Sequence, residues 1–139
     1  MKKYLLLLIA VLTISGSSFA QKTQSIQPNQ IPAQASSFIK KYWLEANIFR
    51  ANKTNQTYIV TLDNATTIRF DRNGRWQRIT AFDQIPTDML PRAIVAYLAQ
   101  FYPEAILLQA DKLNNGYRIR LDNELILQFN TKGQFQKLI

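Results

Sequence analysis

Apolar side chains recur with a helical period at two places in the chain. Ala35, Phe38, Ile39 and Tyr42 fall at i, i+3, i+4 and i+7, and Ile94, Tyr97, Leu98 and Phe101 repeat that spacing. Such a stripe lies along one face of an α-helix, so two amphipathic helices are predicted. Pro32 and Pro91 suit the first helical turn, where a missing N–H costs no bond and φ is already helical. Pro103 with Glu104 and Ala105 marks the exit of the second helix, and the first is expected to end near Leu44 by analogy.

Beyond each helix the period drops to two. Tyr58, Val60 and Leu62 alternate with Thr57, Ile59 and Thr61, while Tyr117, Ile119 and Leu121 alternate with Gly116, Arg118 and Arg120. Half-buried strands read this way. The pairs Asp63-Asn64 and Asp122-Asn123 are turn formers, because their side chains bond locally and tolerate left-handed backbone. The next strand carries Thr66, Ile68 and Phe70 on one face, matched by Leu125, Leu127 and Phe129. Asn73-Gly74 and Lys132-Gly133 predict a second tight hairpin, followed by a last strand from Arg75 and from Gln134. A strand before the Tyr strand is expected at Asn47–Asn52 and at Ile106–Asp111.

These paired predictions reflect a duplication. The segment Ile31–Thr80 reappears without a gap, at a constant offset of 59, as Leu90–Ile139. YIVTLDN from Tyr58 matches YRIRLDN from Tyr117, and RFDRNGRWQRI from Arg69 matches QFNTKGQFQKL from Gln128. The expected fold class is α+β: two tandem repeats, 31–80 and 90–139, each a helix packed on an antiparallel four-stranded meander. A linker over residues 81–89 joins them, short enough to favour close association. One such copy alone would bury too little of its surface to be stable, so the two sheets either merge edge to edge or dock.

A single helix covers one face of its sheet and leaves the other to solvent or a partner. Strict alternation assigns Ile48, Arg50, Ile59, Thr61, Thr67, Arg69, Trp76 and Arg78 to that open face in the first copy. In the second it assigns Leu107, Gln109, Arg118, Arg120, Ile126, Gln128, Phe135 and Lys137. Ile59, Arg69, Trp76, Arg78, Arg118, Arg120, Ile126, Phe135 and Lys137 are the candidate partner-binding residues, since aromatics and arginine are enriched at interface hot spots. Trp76 and Phe135 admit a second reading, as packing against the linker or the other repeat. Comparison of the copies supports a composite surface: core positions match in kind, whereas Ile59, Thr61 and Arg69 face Arg118, Arg120 and Gln128 across the duplication.

Composition adds the compartment. Lys2 and Lys3 precede an apolar run from Tyr4 to Ile14 and a small-x-small site at Ser18-Phe19-Ala20, the form of a signal peptide over residues 1–20 cleaved after Ala20. The run is too short for a transmembrane anchor, which takes about 20 apolar residues. Absence of cysteine rules out a lipid-anchored lipoprotein and any disulfide. A periplasmic or secreted protein held together by its core is expected. Residues 21–30, polar and rich in Gln, are expected as a flexible lead-in.

Charge and missing residue types narrow the chemistry. The formal charge is +8, and removal of Lys2 and Lys3 leaves +6, which suits either plain solubility or an anionic partner. With neither His nor Cys, the usual general base, thiolate nucleophile and soft metal ligands are missing, so no enzyme, no cofactor and no metal are expected. Asp63, Asp71 and Asp122 are explained by turns, and Glu45 and Glu104 by helix ends. Asp71-x-Asn73-Gly74 has a flavour of a calcium loop but lacks the remaining ligands, so an ordinary turn is expected. Export argues against a nucleic-acid partner.

The pattern LP..I..YL..FYPEA from Leu90 to Ala105, the Y.I.LDN strand from Tyr117 and the closing F...G.(W/F) resemble the PepSY-like family of exported bacterial proteins. The first copy departs at Leu44, where the helix-ending Pro is missing. The resemblance implies a fold similar to that of beta-lactamase-inhibitor proteins, which bind their targets with the open face of the sheet. The leading expectation is therefore a non-enzymatic binding module, inhibitor-like in kind, that meets a protein partner on that face. The alternative is an envelope protein that binds anionic polymer or lipopolysaccharide through Arg50, Arg69, Arg78, Arg118, Arg120 and Lys137.

Overall fold

The structure, a computed structural model, describes residues 22–139. The expected signal peptide over residues 1–20 and its cleavage after Ala20 lie outside the described residues. Among the described residues nine strands pair in chain order, each antiparallel to the next, to form one sheet. They are β1 (Gln24–Ile26), β2 (Ile48–Lys53), β3 (Thr57–Leu62), β4 (Thr67–Asp71), β5 (Trp76–Thr80), β6 (Leu107–Leu113), β7 (Gly116–Leu121), β8 (Ile126–Phe129) and β9 (Phe135–Leu138). Helices α1 (Ala33–Tyr42) and α2 (Arg92–Phe101) precede β2 and β6. The helix-plus-meander unit is thus built twice, and the two meanders merge.

The merger happens where β5 meets β6. Arg78, Ile79 and Thr80 pair with Asp111, Ala110 and Gln109, and Ile79 and Ala110 are completely buried. One apolar row crosses the sheet through Ile26, Ala51, Val60, Ile68, Ile79, Ala110, Ile119 and Leu127. Both helices press on this row. Ala35 and Ile39 of α1 and Ile94 and Leu98 of α2 are buried in the single core that results.

The stretch expected as a flexible lead-in carries an edge strand instead. Ser25 and Ile26 of β1 pair with Asn52 and Ala51 of β2, the places equivalent to Asp111 and Ala110. Gln24-Ser25-Ile26 therefore stands against β2 as Gln77-Arg78-Ile79 stands against β6. Lack of periodicity hid a strand only three residues long, whose pairing supplies its order.

Helix exits match in spite of Leu44. Trp43 donates its N–H to the carbonyl of Ile39 as Tyr102 does to Leu98, both at 2.8 Å. The missing proline changes nothing because that bond already closes the turn.

Four β-bulges correct the expected faces. Register shifts between Ile48 and Arg50 on β2, and between Leu107 and Gln109 on β6. On β5, Phe70 faces Trp76 while Arg69 faces Arg78, so Gln77 is the extra residue; Gln136 is its counterpart on β9. An inserted residue reverses the alternation beyond it. Ile48, Leu107, Trp76 and Phe135 consequently lie on the helix-covered face, not the open one. Trp76 is 8% exposed and packs on Tyr117 of the other copy, ring centroids 6.3 Å apart. Phe135 stacks on Tyr97 of α2 at 4.7 Å with an interplanar angle of 15°.

The β4–β5 turn shows why two features recur in both copies. Gly74 has φ +84°, and a Cβ there would come within 2.8 Å of the Ala35 backbone nitrogen, so the turn tucks under the start of α1. Asp71 accepts hydrogen bonds from the N–H groups of Asn73 and Arg75 and from the Arg75 guanidinium. Burial pushes its pKa up, but these donors outweigh burial and hold the carboxyl below its ordinary 3.8. Asn130 accepts the equivalent bonds from Lys132 and Gln134 without a charge. The loop is thus a turn motif that either side chain completes.

Two outcomes follow for stability. Trp76→Ala is expected to cost about 3 kcal/mol in urea unfolding, the range of large aromatic truncations in a core, and Phe135→Ala, at a half-buried position, to cost less than Trp76→Ala. Asp71 contributes in full above about its unfolded pKa of 3.8, and that contribution is lost as pH falls through the lower folded value. The melting-temperature gap between wild type and Asp71→Asn should therefore narrow as pH is lowered below 3.8.

Candidate functional site

With the bulges placed, the open face resolves into two rows of side chains that cross the sheet. One runs Ser25, Asn52, Ile59, Arg69, Arg78, Asp111, Arg118, Gln128, Lys137. The other runs Arg50, Thr61, Thr67, Thr80, Gln109, Arg120, Ile126. Neighbouring strands are about 4.8 Å apart, so the cations from β4 to β9 extend over roughly 24 Å. Copy one supplies Arg50, Arg69 and Arg78, and copy two supplies Arg118, Arg120 and Lys137. The face is composite because β5 joins β6.

Of the predicted site residues, the structure brings Ile59, Arg69, Arg78, Arg118, Arg120, Ile126 and Lys137 onto this surface and removes Trp76 and Phe135. Arg69, Arg78, Arg118 and Lys137 are exposed, while Ile59, Arg120 and Ile126 are half-buried. The apparent basic stripe Arg69, Arg72, Arg75, Arg78 does not hold together. Arg72 and Arg75 sit in the β4–β5 turn, bonded to Gln56 and Asp71.

Sequence reasoning missed Asp111. It is only 3% exposed, yet its side chain belongs to the open-face row. Arg78 Nε reaches its Oδ1 at 2.6 Å, and Gln109 Nε2 donates to Oδ2 at 3.2 Å. Alternation counted from Gln109 places Asp111 on this face, but its burial depends on an arginine from the other copy. Asp111 pairs with Arg78 in an ion pair and also faces Arg118 across β6 and β7, whereas Arg69, between Ile59 and Arg78, has no acidic cross-strand neighbour in the row.

Elsewhere the surface offers little chemistry. A cavity of about 230 Å³ between the linker, α2 and the ends of β6 and β7 is lined by Gln84, Thr87, Leu98, Tyr102 and Leu107 among other uncharged residues. Burial, then the neighbouring Tyr102, pushes the Tyr97 hydroxyl pKa up from 10.0, so it stays neutral. Among the described residues no group of three or more acidic side chains is placed to hold a metal ion, and no helix is long and apolar enough to cross a membrane.

A family model for beta-lactamase-inhibitor-like, PepSY-like proteins matches residues 18–71 and again 56–137. The chain belongs to the PepSY-like family. Two solved structures share its architecture at useful identity. One, from Bacteroides thetaiotaomicron and described as a proposed calcium-regulated periplasmic protein, is 26% identical with TM-score 0.76, over 84% of this chain and 96% of its own. Another, a proposed periplasmic protein of the DUF2874 family from Bacteroides vulgatus, is 26% identical with TM-score 0.81, over 86% of this chain and 98% of its own. A further Bacteroides vulgatus protein of unknown function is 23% identical with TM-score 0.78, over 85% and 99% of the two chains, and shares the fold. No curated protein matches the chain. The PepSY-like scaffold is thus seen in proteins described as periplasmic.

Arg78 and Arg118 separate structure from surface. Arg78→Ala strands the buried Asp111 carboxylate and is expected to cost about 1–3 kcal/mol in denaturant unfolding. Arg118→Ala removes an exposed cation and should stay within about 0.5 kcal/mol of wild type.

Proposed function

We propose that the protein is an exported, non-enzymatic binding module that takes the acidic surface of a protein partner on its open sheet face. The observation that carries this reading is the pair of cationic rows, assembled from both copies and interrupted by one acid that is itself spent on Arg78. Every cation of those rows but Lys137 is an arginine, whose planar fork meets carboxylates in bidentate fashion. Ile59 and Ile126 add half-buried apolar surface beside the guanidinium groups. The neighbours' periplasmic descriptions and the family's inhibitor-like character support export and binding for this chain too.

Placement of Trp76 and Phe135 on the helix-covered face favours a second reading. Without aromatic anchors the face resembles a polyanion track, so an anionic polymer or lipopolysaccharide becomes the rival ligand. Both rest on exposed charges, which salt screens beyond about 8 Å at physiological ionic strength, so the chemical identity of the captured species separates the two.

The test compares wild type with the triple variant Arg69→Glu, Arg118→Glu, Arg120→Glu in crosslinked capture from envelope extract. The variant should melt within a few degrees of wild type and lose the captured protein. Undiminished capture by the variant would sink the open-face reading. Capture of polysaccharide or lipid that vanishes in high salt would replace the protein partner with the polyanion.

A further inference from the structure

Among the described residues, the duplication leaves one sheet edge without the partner strand that its equivalents have. Two junctions in the sheet share one construction: a Gln-x-aliphatic strand meets a strand with a small residue and a polar residue in sequence. At the first, Ser25 and Ile26 face Asn52 and Ala51; at the second, Arg78 and Ile79 face Asp111 and Ala110. In each the aliphatic residue meets alanine on the core face, and the polar pair is matched in character, neutral with neutral and cation with acid. Arg78 and Asp111 close to 2.6 Å.

Strand β9 repeats the first half of this construction as Gln136-Lys137-Leu138. Among the described residues no strand pairs with its outer side. Burial records the consequence: Ile79 is completely buried, whereas its equivalent Leu138 is 49% exposed and Ile139 is 61% exposed. Ile139 donates its N–H inward to Ile126, so strand alternation turns the N–H and C=O of Leu138 outward. Lys137 stands where Arg78 stands, with no acid beside it on the outer side.

We propose that the outer edge of β9 is a docking site for an extended segment of a partner protein, added antiparallel as a tenth strand. Its sequence chemistry follows from β6: a small residue opposite Leu138 and, next toward its C-terminus, an aspartate or glutamate opposite Lys137. Main-chain bonds supply the attachment and the acid fixes the register, as in strand addition generally. This site does not depend on the open-face reading.

A peptide of the β6 sequence, Leu107–Leu113 with blocked ends, is the probe, titrated into the purified exported protein by NMR and hydrogen exchange. Protection should appear at Leu138, whose N–H points outward, and the same peptide carrying Asp111→Lys should bind about tenfold more weakly, as loss of one charge pair predicts. The protein variant Lys137→Asp should reverse that preference while its melting temperature holds, and Arg69→Glu should leave peptide binding unchanged. Absence of binding, protection elsewhere, or indifference to both charge changes would overturn the proposal. So would self-association through β9 that excludes the peptide, or tighter binding of every peptide by Lys137→Ala, the mark of a lysine that only keeps strands away.

Discussion

Everything in this molecule depends on the seam between β5 and β6. Each copy alone is a helix on a four-stranded meander of fifty residues, a size at which buried area barely offsets chain entropy. At the seam Ile79 and Ala110 are sealed in the core, and Arg78 and Asp111 lock the opposite side. One continuous core and one continuous open face result. The linker reinforces the join, since Ala81 and Ile85 donate their N–H groups to the carbonyls of Leu108 and Leu107 and Ile85 is fully buried. Trp76 crosses the seam as well, with its ring against Tyr117 and the Lys112 ammonium 5.6 Å from its centroid.

Helices, most strands and both hairpins were legible because their signals are local. A stripe at 3.6 residues or an alternation at two marks its element wherever the chain later folds. The open face was legible only up to each bulge. Ile48, Leu107, Trp76 and Phe135 were misplaced for one shared reason, an extra residue at Phe49, Leu108, Gln77 or Gln136. A trace of it is present in the sequence. Ile48 to Ala51, Leu107 to Ala110, Trp76 to Ile79 and Phe135 to Leu138 are apolar pairs three apart, which neither face of a regular strand allows. Asp111 and β1 were harder, because burial of the one and pairing of the other come from residues distant in the chain.

The bulges also explain how one strand serves two masters. On β5 an aromatic and an arginine stand two residues apart, and in a regular strand both would point the same way. Either Trp76 would lie in solvent or Arg78 would be driven into the core, where an unpaired charge is costly. Gln77 inserted between them sends the ring beneath the sheet and the guanidinium above it. β9 does the same with Phe135, Gln136 and Lys137. Since the bulge recurs at the same offset in both copies, the scaffold delivers a cation to the open face each time it buries an aromatic. Divergence elsewhere on that face then tunes what the cations meet: Ile59 against Arg118 and Thr61 against Arg120 differ in charge while the core beneath them keeps its shape. The duplicated chain is therefore symmetric where it must pack and asymmetric where it can be touched.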